Sequence, residues 1–401
     1  MLRRLERNKR PGFATRAIHN GYDPVDADGA LTPPVHFTST YVFESAEHGA
    51  DVFAGLRESY VYGRTKNPTQ SILEARIADL EGGEAALAVA SGMAAISATL
   101  WTLLAEGSHV VIDCVLYGNT YALFTRGLAR FGVKVSVADF TRPETVADAI
   151  CADTRLLYFE TPANPNLRVI DIAQIAAIAR SVDVLTVVDN TFATPALQRP
   201  LEHGADVVVH SATKYLGGHG DLIAGIVIGD TELVKLIRLQ GLRYLTGATL
   251  SPLSAFLILR GLKTLELRMA RHSQSALAVA EMLSDHRAVA AVHYPGLATF
   301  PQAEIARRQM SAGSGLVSFE LKGGLTQGRA LMNALSLAQR AVSLGDAETL
   351  VQHPASMTHA AYTPEERLRH GISDGLIRMS VGLENVEDIF DDLDAALTEC
   401  A

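Results

Sequence analysis

Between Lys66 and about Thr264, short apolar runs alternate with longer stretches of helical period. The runs are Val110–Ile112, Val133–Val137, Leu156–Phe159, Leu185–Asp189, Val207–His210 and Ile226–Ile228. A run without a polar face is a strand covered on both sides, and its alternation with helices predicts crossover units around a mostly parallel sheet. The character changes after Thr264: a long amphipathic helix over Leu265–Leu283 leads to a strand at Gly315–Leu321, a helix at Gly328–Ser336 and a last helix at Val386–Leu397. That order predicts a smaller α+β domain closing over the first. Residues from Met1 to about Thr65 show little helical period and hold turn formers such as Thr32-Pro33-Pro34, which predicts an extended arm packed on a neighbour. The expected divisions are an arm at 1–65, a ligand-binding α/β domain at 66–264 and a C-terminal α+β domain at 265–401.

Ligands of such sheets sit beyond the carboxyl ends of the strands, so the residues leaving each run carry the candidate chemistry. The richest exit lies between Ala205 and Gly229. There Val207-Val208-Val209 runs into His210-Ser211-Ala212-Thr213-Lys214, then Gly217-Gly218-His219-Gly220, then a second apolar run over Ile223–Ile228. Lysine forms a Schiff base with an aldehyde, and burial among apolar strands lowers its pKa toward a free amine. Ser211 and Thr213 can turn hydroxyls to a phosphate. Each feature has an ordinary reading too, because a lysine leaving a strand is commonly a solvated charge and a Gly-rich loop is commonly a turn. Asp189 changes the balance: it ends another apolar strand on the same expected edge, where a carboxylate would keep a pyridine nitrogen protonated and the ring an electron sink. Phosphate anchor, lysine and ring partner together point to pyridoxal 5'-phosphate.

The uncharged stretch Ala85–Ala105 is nearly long enough for a membrane span, but it is alanine-rich and broken by Ser91-Gly92. It reads as a strand over Ala86–Val89, a tight turn, and a buried helix over Ala94–Leu104. The turn at Gly92 and Met93 then offers free backbone amides at a helix N-terminus, a natural phosphate seat. Arg378 stands alone in the apolar run Leu376–Ser380 and needs an anion, for which Glu384 is a structural candidate.

Ser211-Ala212-Thr213-Lys214-Tyr215, Val188-Asp189-Asn190-Thr191 and Ser91-Gly92-Met93 closely resemble the pyridoxal-phosphate enzymes of cysteine and methionine metabolism, methionine γ-lyases in particular. The resemblance runs from about Pro11 to the C-terminus. It implies the aminotransferase-like fold known as fold type I, with catalytic dimers assembled into a homotetramer. It implies that Tyr62 and Arg64, in Tyr60-Val61-Tyr62-Gly63-Arg64, reach the cofactor phosphate of the adjacent subunit. It assigns Tyr117 to ring stacking and proton transfer, Asn164 to the neighbourhood of the ring oxygen, and Arg378 with Ser343 to the substrate α-carboxylate. Glu160 it leaves as mainly structural.

Composition narrows the classes. A hydrophobic content of 48%, 20% charged and 6% aromatic is that of a soluble globular enzyme. With 44 acidic against 35 basic residues the net charge is -9, and there is no basic stripe, which argues against a nucleic-acid surface. Cys114, Cys151 and Cys400 lack metal-like spacing and suit a reducing cytoplasm, while the 13 histidines show no paired ligand spacing, so no metal site is expected. The basic opening Arg3–Arg10 is not followed by an apolar stretch and reads as an exposed arm.

The implied reaction is γ-elimination of methionine or homocysteine to a thiol, 2-oxobutanoate and ammonia. Methionine γ-lyases usually carry a cysteine where this chain has Asn119, placed here as a substrate-side residue, and a Lys-Asp pair where it has Arg243-Tyr244. Cystathionine γ-lyases commonly carry a glutamate where Val342 stands. The rivals are γ-replacement on an O-acylhomoserine, a cystathionine lyase or synthase activity, and a non-catalytic cofactor-binding protein. Together Tyr117, Asp189, Lys214 and Arg378 speak against the last.

Overall fold

The computed structural model describes residues 10–358, 363–369 and 371–400. Most of the basic opening, Arg3–Lys9, lies outside them. The arm is not wholly extended as expected: it holds helices α1 (Phe13–His19) and α2 (Ala46–Phe53) and a 3-10 turn at Pro24–Ala27. Both helices span about two turns, too short for a period of 3.6 to register in the sequence. Local capping holds α2, where the Ser45 side chain accepts from the His48 amide at 3.1 Å. Helix α3 (Pro68–Glu81) follows, with Asn67 as N-cap, Pro68 in the first turn and Gly82 left-handed at its end.

A seven-stranded sheet comprises β1 (Ala85–Val89), β2 (His109–Asp113), β3 (Lys134–Ala138), β4 (Thr154–Glu160), β5 (Leu185–Asp189), β6 (Val207–Ser211) and β7 (Gly225–Gly229). Their order is β1-β7-β6-β5-β4-β2-β3, and only β7 runs against the rest. The mostly parallel expectation therefore holds. Alternate residues feed two apolar layers: Val207 and Val209 pack with Leu87, Ile112 and Val187, while Val208 packs with Ile226, Leu73 and Ile77 of the other face. Both faces being covered is why the inner strands read as apolar runs rather than as an alternation, whereas β3, at the sheet edge, keeps exposed positions and alternates through Lys134 and Ser136. Helix α4 (Gly92–Leu103) starts directly off β1, its Ser91 side chain accepting from the Ala94 amide at 3.0 Å.

Beyond it, helix α5 (Leu265–Asp285) leads into a five-stranded sheet of β8 (Val289–His293), β9 (Leu316–Leu321), β10 (Gln339–Arg340), β11 (Leu350–Gln352) and β12 (Leu376–Ser380), ordered β10-β11-β12-β9-β8. Val317, Phe319, Ile377 and Met379 pack there against Val279 and Leu283 of α5 and Leu393 and Leu397 of α6 (Val386–Glu399). The expected helix at Gly328–Ser336 spans Gly324–Ala334 instead. No helix among the described residues is long and apolar enough to cross a membrane.

Candidate active site

One edge of the large sheet gathers the exits of β1, β2, β4, β5 and β6. Because β7 runs the other way, its entrance opens on that edge as well, which brings Ile223 there. A cavity of about 260 Å³ opens there. Of the residues expected in the site, Gly92, Met93, Tyr117, Asn164, Asp189, Ser211, Thr213, Lys214 and Arg378 line it. Ser343 and Asn119 act one contact away, on Lys214 and on Tyr117. Tyr62 and Arg64 do not line it: Arg64 donates to the Arg243 carbonyl at 2.8 Å and lies over the Tyr62 ring, which is half exposed.

The cradle opposite α4 depends on two glycines. A Cβ on Gly92 would stand 2.8 Å from the Ser211 Cβ, and one on Gly225 would stand 2.0 Å from the Ser91 carbonyl oxygen. Only a bare backbone lets the helix start, the β6 exit and β7 approach so closely. The Ser211 amide donates to Thr191 Oγ1 at 2.8 Å, and Thr213 is tied to Ala224 through both its hydroxyl and that residue's amide.

Lys214 Nζ donates to Ser343 Oγ at 2.9 Å. Burial, then the Arg378 charge, hold the ε-amine below the usual lysine range, against the opposing pull of Asp346. More of it is thus neutral and nucleophilic at neutral pH. Asp189 accepts from the Thr191 amide at 2.9 Å. Burial raises its pKa, while the Thr191 bonds and the facing His210 oppose the rise.

Arg378 is 4% exposed inside β12, and burial pushes its pKa down to about 10. It donates from Nη1 to Asn164 Oδ1 and from Nη2 to the Ser343 carbonyl, each at 2.9 Å, and its buried Nε has no hydrogen-bond partner among the described residues. Among the described residues no carboxylate pairs with it: its partners are the Asn164 amide oxygen and the Ser343 carbonyl. Glu384, the structural candidate, instead accepts from the amide and hydroxyl of Thr349 at 2.6 and 2.8 Å. A buried guanidinium with an open donor and no counter-ion is a built seat for an incoming anion.

Tyr117 donates its backbone amide to Glu160 Oε1 at 2.8 Å, and its phenol oxygen accepts from Asn119 Nδ2 at 2.9 Å. Sequence reasoning missed the cavity roles of Phe192, Ile223 and Leu344. Only Ile223 carried a signal, as the first residue of the run feeding β7. Elsewhere Asp113, Cys114 and Asp139 bring ligand-type atoms within 4.8 Å of one another, and Arg168 is ion-paired to both acids.

The cavity offers a buried acid at Asp189, the α4 N-terminus beside Ser211 and the lowered amine of Lys214, groups that would suit a pyridine nitrogen, a phosphate and an aldehyde. That arrangement on a doubly covered α/β sheet defines a pyridoxal-phosphate enzyme. The chain belongs to the Cys/Met metabolism PLP-dependent enzyme family, whose model matches residues 14–398. It is 57% identical over 394 residues to L-methionine gamma-lyase of Pseudomonas putida, covering 98% of this chain and 99% of that one. It is 54% identical over 397 residues to L-methionine gamma-lyase of Pseudomonas deceptionensis, covering 99% and 100%. Among solved structures, metB from Corynebacterium glutamicum superposes with a TM-score of 0.91 at 37% identity, over 98% of this chain and 99% of that one.

Proposed function

We propose that the chain catalyses γ-elimination of a sulfur amino acid, L-methionine or homocysteine, to a thiol, 2-oxobutanoate and ammonia. The observation that carries this is a buried Arg378 with no counter-ion among the described residues, sharing one cavity with Lys214 and Asp189. When bound, pyridoxal phosphate supplies an electron sink for the carbanion that forms at the substrate Cα. Arg378 captures the substrate carboxylate, while Asn164 and the Ser343 carbonyl hold its guanidinium in place. Lys214, its lowered pKa making it a competent base, removes the Cα proton and then serves the Cβ position. Asp189 keeps the ring nitrogen protonated. Asn119 occupies the phenol oxygen of Tyr117 as a donor, which frees the phenol's own proton for the departing sulfur.

Val342, Leu344 and Ile223 give the cavity an apolar side suited to a short thioether. Asn119 and the Arg243-Tyr244 pair, which differ from the usual methionine γ-lyase pattern, keep γ-replacement on an O-acylhomoserine as the second reading. Measuring 2-oxobutanoate released from methionine, homocysteine and O-acetylhomoserine, with and without added thiol, separates the two. Elimination predicts release without thiol from the first two substrates. Thiol-dependent loss of 2-oxobutanoate from O-acetylhomoserine alone would overturn it.

The same reading divides the chain into an arm to residue 65, the cofactor-binding unit to 264 and a C-terminal unit, and places it in the cytoplasm. It also makes the molecule a homotetramer of catalytic dimers. Support for assembly comes from the arm, where Val25, Leu31, Phe37, Val42 and Leu56 stand strongly exposed in the single chain. Tyr62 and Arg64 would then serve the phosphate of the adjacent subunit.

A further inference from the structure

Glu160 ends β4 directly beside Asp189 of β5 in the parallel register, so two carboxyl groups stand side by side at the cavity floor. Glu160 is 5% exposed, and it accepts the backbone amide of Tyr117 across 43 positions of sequence at 2.8 Å. Adjacent buried carboxylates resist joint ionisation. The two differ in support: Asp189 accepts from the Thr191 amide and has His210 in its neighbourhood, whereas Glu160 has near it the acids Asp189 and Asp113, the latter ion-paired to Arg168. Burial and then the Asp189 charge push Glu160 well above the carboxylate range, against the backbone amides of Tyr117 and Asn164.

We propose that Glu160 is a positioning residue: it fixes the Tyr117 turn at the cavity by accepting that backbone amide, and it works through hydrogen bonding rather than charge. Asp189, beside it in the register, would be the acid that serves the ring nitrogen of a bound cofactor. Glu160 touches neither substrate nor reacting atoms in this role, and it acts on the reaction through Tyr117. The inference rests on the pyridoxal-phosphate reading of the same cavity.

The test compares wild type, Glu160→Gln and Glu160→Ala as holoenzymes. It reads cofactor occupancy, visible-region circular dichroism of the bound cofactor, melting temperature, and kcat and KM for 2-oxobutanoate release. Glutamine keeps the acceptor oxygen and the neutral form, so kcat should stay within about threefold and the dichroic band unchanged. Alanine removes the acceptor, so kcat should fall about ten- to hundredfold with an altered band and a smaller change in KM. Should alanine prevent folding, Glu160→Met, which fills the volume without a comparable acceptor, replaces it. A glutamine form as impaired as the alanine form would show that charge is required and overturn the proposal, as would an alanine form with a native band and native kcat. Wild type that holds the cofactor yet releases no 2-oxobutanoate would sink the activity reading alone, because the dichroic comparison still decides the role of Glu160.

Discussion

The edge of the large sheet and the arm before α3 carry equally specific motifs, yet the fold treats them in opposite ways. At the edge, the chain satisfies most of its own groups, the Arg378 Nε donor excepted: Lys214 bonds Ser343, Asp189 bonds the Thr191 amide, and Tyr117 bonds Glu160. On the arm, Tyr62 and Arg64 are exposed among apolar residues, and Arg64 donates from its side chain to the Arg243 carbonyl while its own carbonyl accepts from the Thr249 hydroxyl. A motif completed within one chain can be tested in that chain. A motif left open would, on the proposed assembly, be completed by a neighbour, and is tested there.

The sharpest way to break the self-contained half is at Lys214. Lys214→Ala should abolish the borohydride-reducible link to the cofactor and nearly all turnover, because no other cavity-lining residue offers an amine. Mass spectrometry of reduced, digested wild type checks it: label on another lysine would reassign the site. Arg378 comes next. A charge-assisted hydrogen bond contributes about 1.5–3 kcal/mol, so Arg378→Ala should lower kcat/KM about ten- to hundredfold or more. The loss should be in substrate capture, with cofactor binding retained. An unchanged specificity constant would remove Arg378 from the site and leave its open Nε donor without a role.

How far the sequence reached follows the same division. Val207–Val209 and Leu185–Val188 were legible because strands covered on both faces are mainly apolar, Thr186 being the one polar residue in these two runs, and their exits at Ser211, Lys214 and Asp189 then fall on one edge by the topology of parallel sheets. Arg378 was legible as a cation in an apolar run. Its lack of a carboxylate partner was not, since only the fold takes Glu384 away to Thr349. Ser343 was expected to assist at the substrate carboxylate. Its hydroxyl accepts from Lys214 and its carbonyl from Arg378, and that backbone role leaves no trace in residue type. Glu160 was legible as a strand exit but not in its role, because its partner is an amide on another loop. The arm helices α1 and α2 escaped because two turns are too few to display a period.

The smallest expected effect tests the open half. Arg64→Ala should weaken retention of the cofactor only about tenfold, because one partly solvated cation is removed while the α4 cradle and Lys214 remain. That loss alone cannot say which subunit Arg64 serves. Pairing settles it. Co-expressed with Lys214→Ala chains under separate tags, Arg64→Ala chains should form hybrids in which one site joins an intact Lys214 with an intact Arg64 from the neighbour. In a two-fold assembly that site is native in composition, so hybrids should exceed both parent homo-oligomers in turnover and in cofactor retention. If Arg64 acts within its own chain, each site of the hybrid lacks one of the two residues and mixing restores nothing. The comparison between a closed edge and an open arm would then collapse, since the arm would have to fold back onto the cavity of its own chain.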